Sequence, residues 1–199
     1  MPGASLLDVY GPLEMLYYLS MNAFLNLTII TPTEENVVNS PELGNPFNSI
    51  FSPEFVGSAT IHDDLDLDVL MVPGGSLHLA ENLTYIDDFL VKMRPSTDYL
   101  ISICTGAIYP ARAGLLNGRR ATTNKSAWND VTSHGENVTW VAPARFVIDG
   151  DIWSSSGVSM NFSPLVVRIT TDHEKYRSLP ASTSPSNGFA NGTVMRELP

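Results

Sequence analysis

Apolar residues in this chain fall into short runs separated by Gly, Pro, Asn and Asp, and two periodicities alternate. Val9, Leu13, Leu16 and Tyr17 repeat at helical spacing, which predicts a helix from Asp8 to about Met21, with Gly11-Pro12 marking its start rather than its interior. Asn26 to Thr31 reads as a strand closed by Pro32. Residues 32–66 are mixed, with at most one short strand pair around Phe47 to Phe55. Val69 to Pro73 is a short apolar strand that ends in Gly74-Gly75. Ile86, Phe89, Leu90 and Met93 share one face of a helix from Tyr85 to Met93. The next apolar strand, Tyr99 to Ile103, runs directly into Cys104-Thr105-Gly106-Ala107 and a helix reaching about Leu116, stopped by Asn117-Gly118. A short strand (Arg120 to Thr123), a short helix (Lys125 to Ser133) and strands at Val138 to Val141, Phe146 to Asp149 and Ile152 to Ser155 follow. Asp149-Gly150 is a hairpin signal between the last two.

Apolar strands alternating with helices predict an α/β fold with a mostly parallel sheet covered on both faces. The 199 residues suit one domain, residues 1–174, with a Ser-, Pro-, Asn- and Gly-rich tail, residues 175–199, expected to be disordered. That length buries a core without disulfides or a structural metal.

Charge narrows the partners. A net charge of −10 with no cluster of Lys and Arg excludes nucleic acid. No apolar run approaches the roughly 18 residues of a membrane span. One cysteine rules out an internal disulfide and a cysteine-rich metal site. The start, Met-Pro-Gly-Ala-Ser-Leu-Leu-Asp, has neither the basic nor the apolar region of an export signal, so a cytoplasmic protein is expected and the Asn-x-Ser/Thr sequons, Asn124 among them, read as chance matches. Asp64, Asp66 and Asp68 imitate the start of a calcium loop, but Val69 stands where glycine is required and Gly75 where the closing glutamate belongs. They read as a solvated loop, and no metal or cofactor is expected. Trp128, Trp140 and Trp153 read as core or interface aromatics.

Cys104 carries the candidate chemistry. A lone cysteine is usually a buried, inert small hydrophobe. This one sits where an apolar strand turns sharply into a helix, at the sheet edge where open α/β folds bind ligands. Such a turn lifts a side chain out of the sheet, and the N–H groups of the following helix would favour the thiolate and lower the thiol pKa. Gly74-Gly75 closes the preceding strand at the same edge and offers backbone N–H groups as an oxyanion-type donor pair, or is an ordinary glycine turn. Gly106 leaves room for close approach. Asp8, taken alone, reads better as a helix N-cap than as a catalytic group.

Together, Leu7-Asp8-Val9-Tyr10-Gly11-Pro12-Leu13-Glu14, Val72-Pro73-Gly74-Gly75, Ser102-Ile103-Cys104-Thr105-Gly106-Ala107, the run Ala113 to Thr123, and Ala144 to Gly150 with Ser155-Ser156-Gly157-Val158 resemble the ThiJ/PfpI superfamily over about residues 2–159. The resemblance implies a flavodoxin-like three-layer sandwich, related to class I glutamine amidotransferases, and a homodimer. Protease-like members have histidine after the cysteine; here Thr105 follows, and His62, His78, His134 and His173 are scattered. The Leu-Asp-x-x-Gly-Pro pattern resembles the isonitrile hydratase branch, whose Asp, Cys and Thr match Asp8, Cys104 and Thr105. That implies a cofactor-independent hydratase turning a small isonitrile into an N-formamide: Cys104 as nucleophile, Asp8 activating water and moving protons, Thr105 holding ligand or water. The competing readings are a redox or stress protein with an oxidisable Cys104, and a catalytically degenerate domain.

The chain departs from the family in three places. The apolar strand expected before Pro2-Gly3 is missing, which would expose the edges of its neighbours. Leu165 to Thr171 is β-branched where the family has a long helix. Asn124-Lys125 stands where the hydratases carry a His-Trp pair, which bears on the substrate.

Overall fold

A computed structural model of the chain describes residues 3–38, 47–76 and 83–157. The expected boundary at 174, the polar tail, Leu165 to Thr171, His78 and His173 lie outside the described residues.

The centre is a four-stranded sheet in the order β5-β6-β10-β9, formed by Val69–Val72 (β5), Tyr99–Ile103 (β6), Phe146–Asp149 (β9) and Ile152–Ser155 (β10). β5 and β10 run parallel to β6, with Leu70 and Ile152 both opposite Leu100. The β9–β10 hairpin is antiparallel and turns through Gly150, whose φ of +62° explains the glycine. Among the described residues β5 is paired on one side only.

Helices cover both faces. Leu70, Leu100 and Ile152 meet α2 (Thr84–Met93), α3 (Ile108–Arg112) and Val131 of α4 (Trp128–Thr132) in the main core. The predicted face of α2, Ile86, Phe89, Leu90 and Met93, is buried there. Arg112 grips Asp87 with two hydrogen bonds of 2.9 Å each, tying α3 to α2. On the other face Ile101, Ile103 and Trp153 pack with Leu16 of α1 (Leu6–Ser20). This is the α/β sandwich that the alternation predicts.

Several expectations are corrected. Pro12 lies inside α1, not at its start. Its missing N–H costs one hydrogen bond, to the carbonyl of Asp8, and the helix continues past it. The strand expected over Asn26 to Thr31 shrinks to β1 (Ile30–Thr31), paired parallel with β4 (Ala59–Thr60). The Ser58 hydroxyl, not a strand, accepts from Ile29 N–H. Of the strand pair expected around Phe47 to Phe55, only β3 (Glu54–Phe55) forms, and its partner is β2 (Val37–Val38). The helix after Cys104 is a 3-10 turn, Cys104–Ala107, followed by α3, which ends at Arg112 and not near Leu116. Gly114, at φ +74°, breaks the run. The remaining pair, β7 (Arg120–Ala121) with β8 (Thr139–Trp140), is parallel.

Asp64, Asp66 and Asp68 are exposed in the loop before β5. Trp128 meets Trp140 edge to face, and Trp153 is buried against Tyr99.

Candidate active site

Cys104 takes a φ of +57°, the left-handed region that non-glycine residues avoid. β6 delivers the chain extended to Ile103, and the 3-10 turn carries it away. A reversal in one residue leaves the side chain at the sheet edge, the elbow expected from the sequence. Holding a non-glycine residue there costs about 1–3 kcal/mol. The Thr123 hydroxyl, donating to the Cys104 carbonyl at 2.8 Å, helps hold it. Gly106 lies under the end of β5: a Cβ there would sit 2.5 Å from the carbonyl oxygen of Val72, so only glycine lets the turn approach the strand.

Asp8 is not the cap of α1. Ser5 precedes the helix, and Asp8 stands in its first turn, buried, with 1% of its surface exposed. Its Oδ2 accepts from Gly74 N–H at 3.1 Å. Oδ1 is buried without a hydrogen-bond partner of good geometry, and the Cys104 thiol is the polar group set against this carboxylate. The first turn of α1 is held in place by Ser5 N–H donating to Gly74 C=O at 2.8 Å and by the Ala4–Gly75 bridge.

The glycine pair does not present free donors. Gly74 N–H is taken by Asp8, and Gly75 N–H donates to the Thr105 hydroxyl at 2.9 Å. That hydroxyl also lies 2.9 Å from the Gly75 carbonyl, to which it donates. Gly74 and Gly75 therefore brace Asp8 and Thr105 instead of forming the expected oxyanion pair, and the Thr105 side chain is spent on the backbone. A Cβ at Gly74 would lie 2.7 Å from Thr105 N and 2.8 Å from Asp8 Oδ2, so the three segments meet at a point where no side chain fits.

The electrostatics differ from the sequence expectation. The thiol pKa is raised, chiefly by burial and then by the Asp8 charge; the Thr105 N–H and the Asn124 amide pull it down by less. The helix that was expected to favour thiolate is only a 3-10 turn and one further turn, too short to outweigh burial. Burial also raises Asp8, against the lowering effect of the Gly74 N–H and the thiol. The two acids keep their protons to higher pH than isolated groups would.

Asn124 is the partner that sequence reasoning missed. Its Nδ2 donates to the Cys104 sulfur at 3.1 Å. The signal was its position just past the short strand β7, yet it read only as a mark of substrate choice. Of the histidines, the described ones, His62 and His134, are not partners of Cys104. No helix among the described residues is long and apolar enough to cross a membrane.

A family model described as the DJ-1/PfpI family matches residues 2–167. The isonitrile hydratase of Pseudomonas putida is 31% identical over 116 residues, 57% of this chain and 49% of that protein, so the chain spans about half the length of this curated relative. Among solved structures, a ThiJ/PfpI family protein from Pseudomonas syringae is similar with a TM-score of 0.67 and 23% identity, covering 93% of this chain and 76% of that one. An AraC family transcriptional regulator from Pseudomonas putida gives 0.65 and 19%, covering 84% and 88%. Drosophila melanogaster DJ-1beta gives 0.62 and 16%, covering 86% and 85%. At these identities the structures speak for the fold.

Proposed function

The chain belongs to the DJ-1/PfpI family, and within it we propose that it acts as a cysteine-dependent hydratase converting small isonitriles to N-formamides. The observation that carries this reading is the buried Asp8 carboxylate set against the Cys104 thiol, with one carboxylate oxygen, Oδ1, lacking a hydrogen-bond partner. The similarity to the Pseudomonas putida isonitrile hydratase supports the substrate class.

Isonitrile addition needs a nucleophile and a proton at the same carbon. Asp8 takes the thiol proton as the Cys104 sulfur bonds to the terminal carbon, and returns that proton to the carbon. The product is a thioimidate, R–N=CH–S–Cys104. Asp8 then takes a proton from water as the water oxygen attacks this carbon and passes it to the nitrogen, giving R–NH–CH(OH)–S–Cys104, whose hydroxyl proton goes to the sulfur on collapse. Collapse breaks the C–S bond, restores the thiol and releases R–NH–CHO. A raised thiol pKa suits this sequence, because the sulfur leaves the resting state as a thiol and its proton is consumed by the reaction. The Thr105 hydroxyl braces the strand end, and its N–H faces the sulfur.

The test is formamide formation from an alkyl isonitrile, followed by proton NMR. Wild-type protein should turn substrate over, and Cys104→Ala and Asp8→Asn should fall to the background rate. Turnover should also fall on the acid side at a pH above the ordinary carboxylate range, where the raised Asp8 becomes protonated. Wild type no faster than Cys104→Ala would rule the reading out.

A further inference from the structure

Asn124 follows β7 and opens the turn into α4. Its Oδ1 accepts from Ser126 N–H at 2.9 Å, the Ser126 hydroxyl at 2.6 Å and Ala127 N–H at 3.1 Å. The two backbone N–H groups among these donors decide which end of the amide is oxygen, since the reverse orientation would set an NH₂ group against both. The nitrogen end is thereby aimed at the Cys104 sulfur.

We propose that Asn124 is a catalytic residue of this site, an amide donor locked against the sulfur that stabilises its thiolate and holds it in line for attack. A hydrogen bond to an ionised acceptor is stronger than one to a neutral acceptor, so this donor favours thiolate over thiol. Its effect opposes that of Asp8, which faces the same sulfur from α1 and is the titratable group whose charge acts on it. The site thus sets a proton acceptor on one side of Cys104 and a non-titrating donor on the other. The acceptor starts proton removal, and the donor keeps the sulfur in place once it is charged.

The inference goes beyond the hydratase reading, since it concerns the sulfur and any electrophile that reaches it. The readout is therefore thiol chemistry and not turnover. Cys104 is the only cysteine of the chain, so iodoacetamide reports on it alone. Alkylation rates are measured from pH 6 to 10 for wild type, Asn124→Ala and Asn124→Asp, with a thermal melt of each. Asn124→Asp keeps an acceptor for Ser126 and Ala127, and so keeps the turn, but presents no N–H to the sulfur. Both variants should alkylate about tenfold more slowly at neutral pH, with the profile moved to higher pH, further for Asn124→Asp. An Asn124→Asp profile superimposing on wild type would overturn the proposal, even if Asn124→Ala were slow, because the turn and not the donor would then matter. If Asn124→Ala does not fold, Asn124→Val takes its place, since it too removes the N–H without adding a charge that would shift the thiol by itself. A shifted profile in a protein without hydratase activity would remove the hydratase reading and leave this one standing.

Discussion

The region around the four-stranded sheet and the region from Gly3 to Thr60 are built differently. In the first, Leu100, Ile103 and Ile108 are each 1% exposed, and strands of four or five residues pair in full register. In the second, the strands are two residues long, and Leu7, Tyr17, Tyr18, Met21 and Phe24 are more than half exposed. The site spans both. Cys104 and its elbow belong to the packed sheet, whereas the Asp8 carboxylate is carried in on α1, whose start is tied to the sheet edge at Gly74 and Gly75. The sulfur is therefore held by the core, and its approach to the Asp8 carboxylate depends on how well a less packed helix docks.

Leu100→Ala should have the largest effect on stability. The side chain is buried at the centre of β6, between Leu70 and Ile152, so truncation costs about 2–5 kcal/mol. Denaturant unfolding measures it. A loss below about 1 kcal/mol would mean that the sheet is not the rigid half of the molecule.

The same contrast explains what the sequence revealed. Tyr99 to Ile103, the α2 face and the Asp149-Gly150 hairpin were legible because each is set by a local pattern that packing reinforces. The short strands were not. Ile30–Thr31 and Ala59–Thr60 pair across 29 positions of register, and no pattern in 26–31 says how few of its residues find a neighbour. At the site, Cys104, Asp8 and Thr105 were legible from motif order, and the structure brings them together. The bonding of Gly74 and Gly75 was not, because a motif gives residue types and not where each N–H points. Asn124 escaped for the same reason: its contact with the sulfur joins residues 20 apart and depends on a turn.

Asp8→Asn tests the docked carboxylate by an intermediate effect of opposite sign. A carboxyl with a raised native pKa binds more protons folded than unfolded between its ordinary and its native pKa, so stability falls as pH rises from the ordinary value of 3.8 through the raised native one. Above that window the buried charge burdens the fold. Gly74 keeps its partner, since the amide oxygen of the asparagine at position 8 can still accept from Gly74 N–H. The variant should therefore melt higher than wild type at pH 7, by about 2–4 °C for each kcal/mol recovered, and the gap should close by pH 4. A lower melting temperature at pH 7 would mean that Asp8 stabilises the α1 junction, and that the carboxylate is there for the fold.

The smallest effect is expected at Tyr17, and it tests whether the looser region is uncovered in solution. Tyr17 is 60% exposed on α1, and its ring contact is to the equally exposed Tyr18. Substitution at such a position changes stability by about 0.5 kcal/mol or less. Tyr17→Ser should leave the unfolding midpoint unmoved at any protein concentration. A midpoint that drops in the variant, and that rises with concentration in wild type, would mean that a second copy covers this face. The contrast would then belong to the isolated chain and not to the assembled protein, and the docking of Asp8 would depend on a partner. Because α1 carries both Tyr17 and the Asp8 carboxylate, a large effect at this remote position would also predict, on the proposed hydratase reading, that turnover per chain falls on dilution.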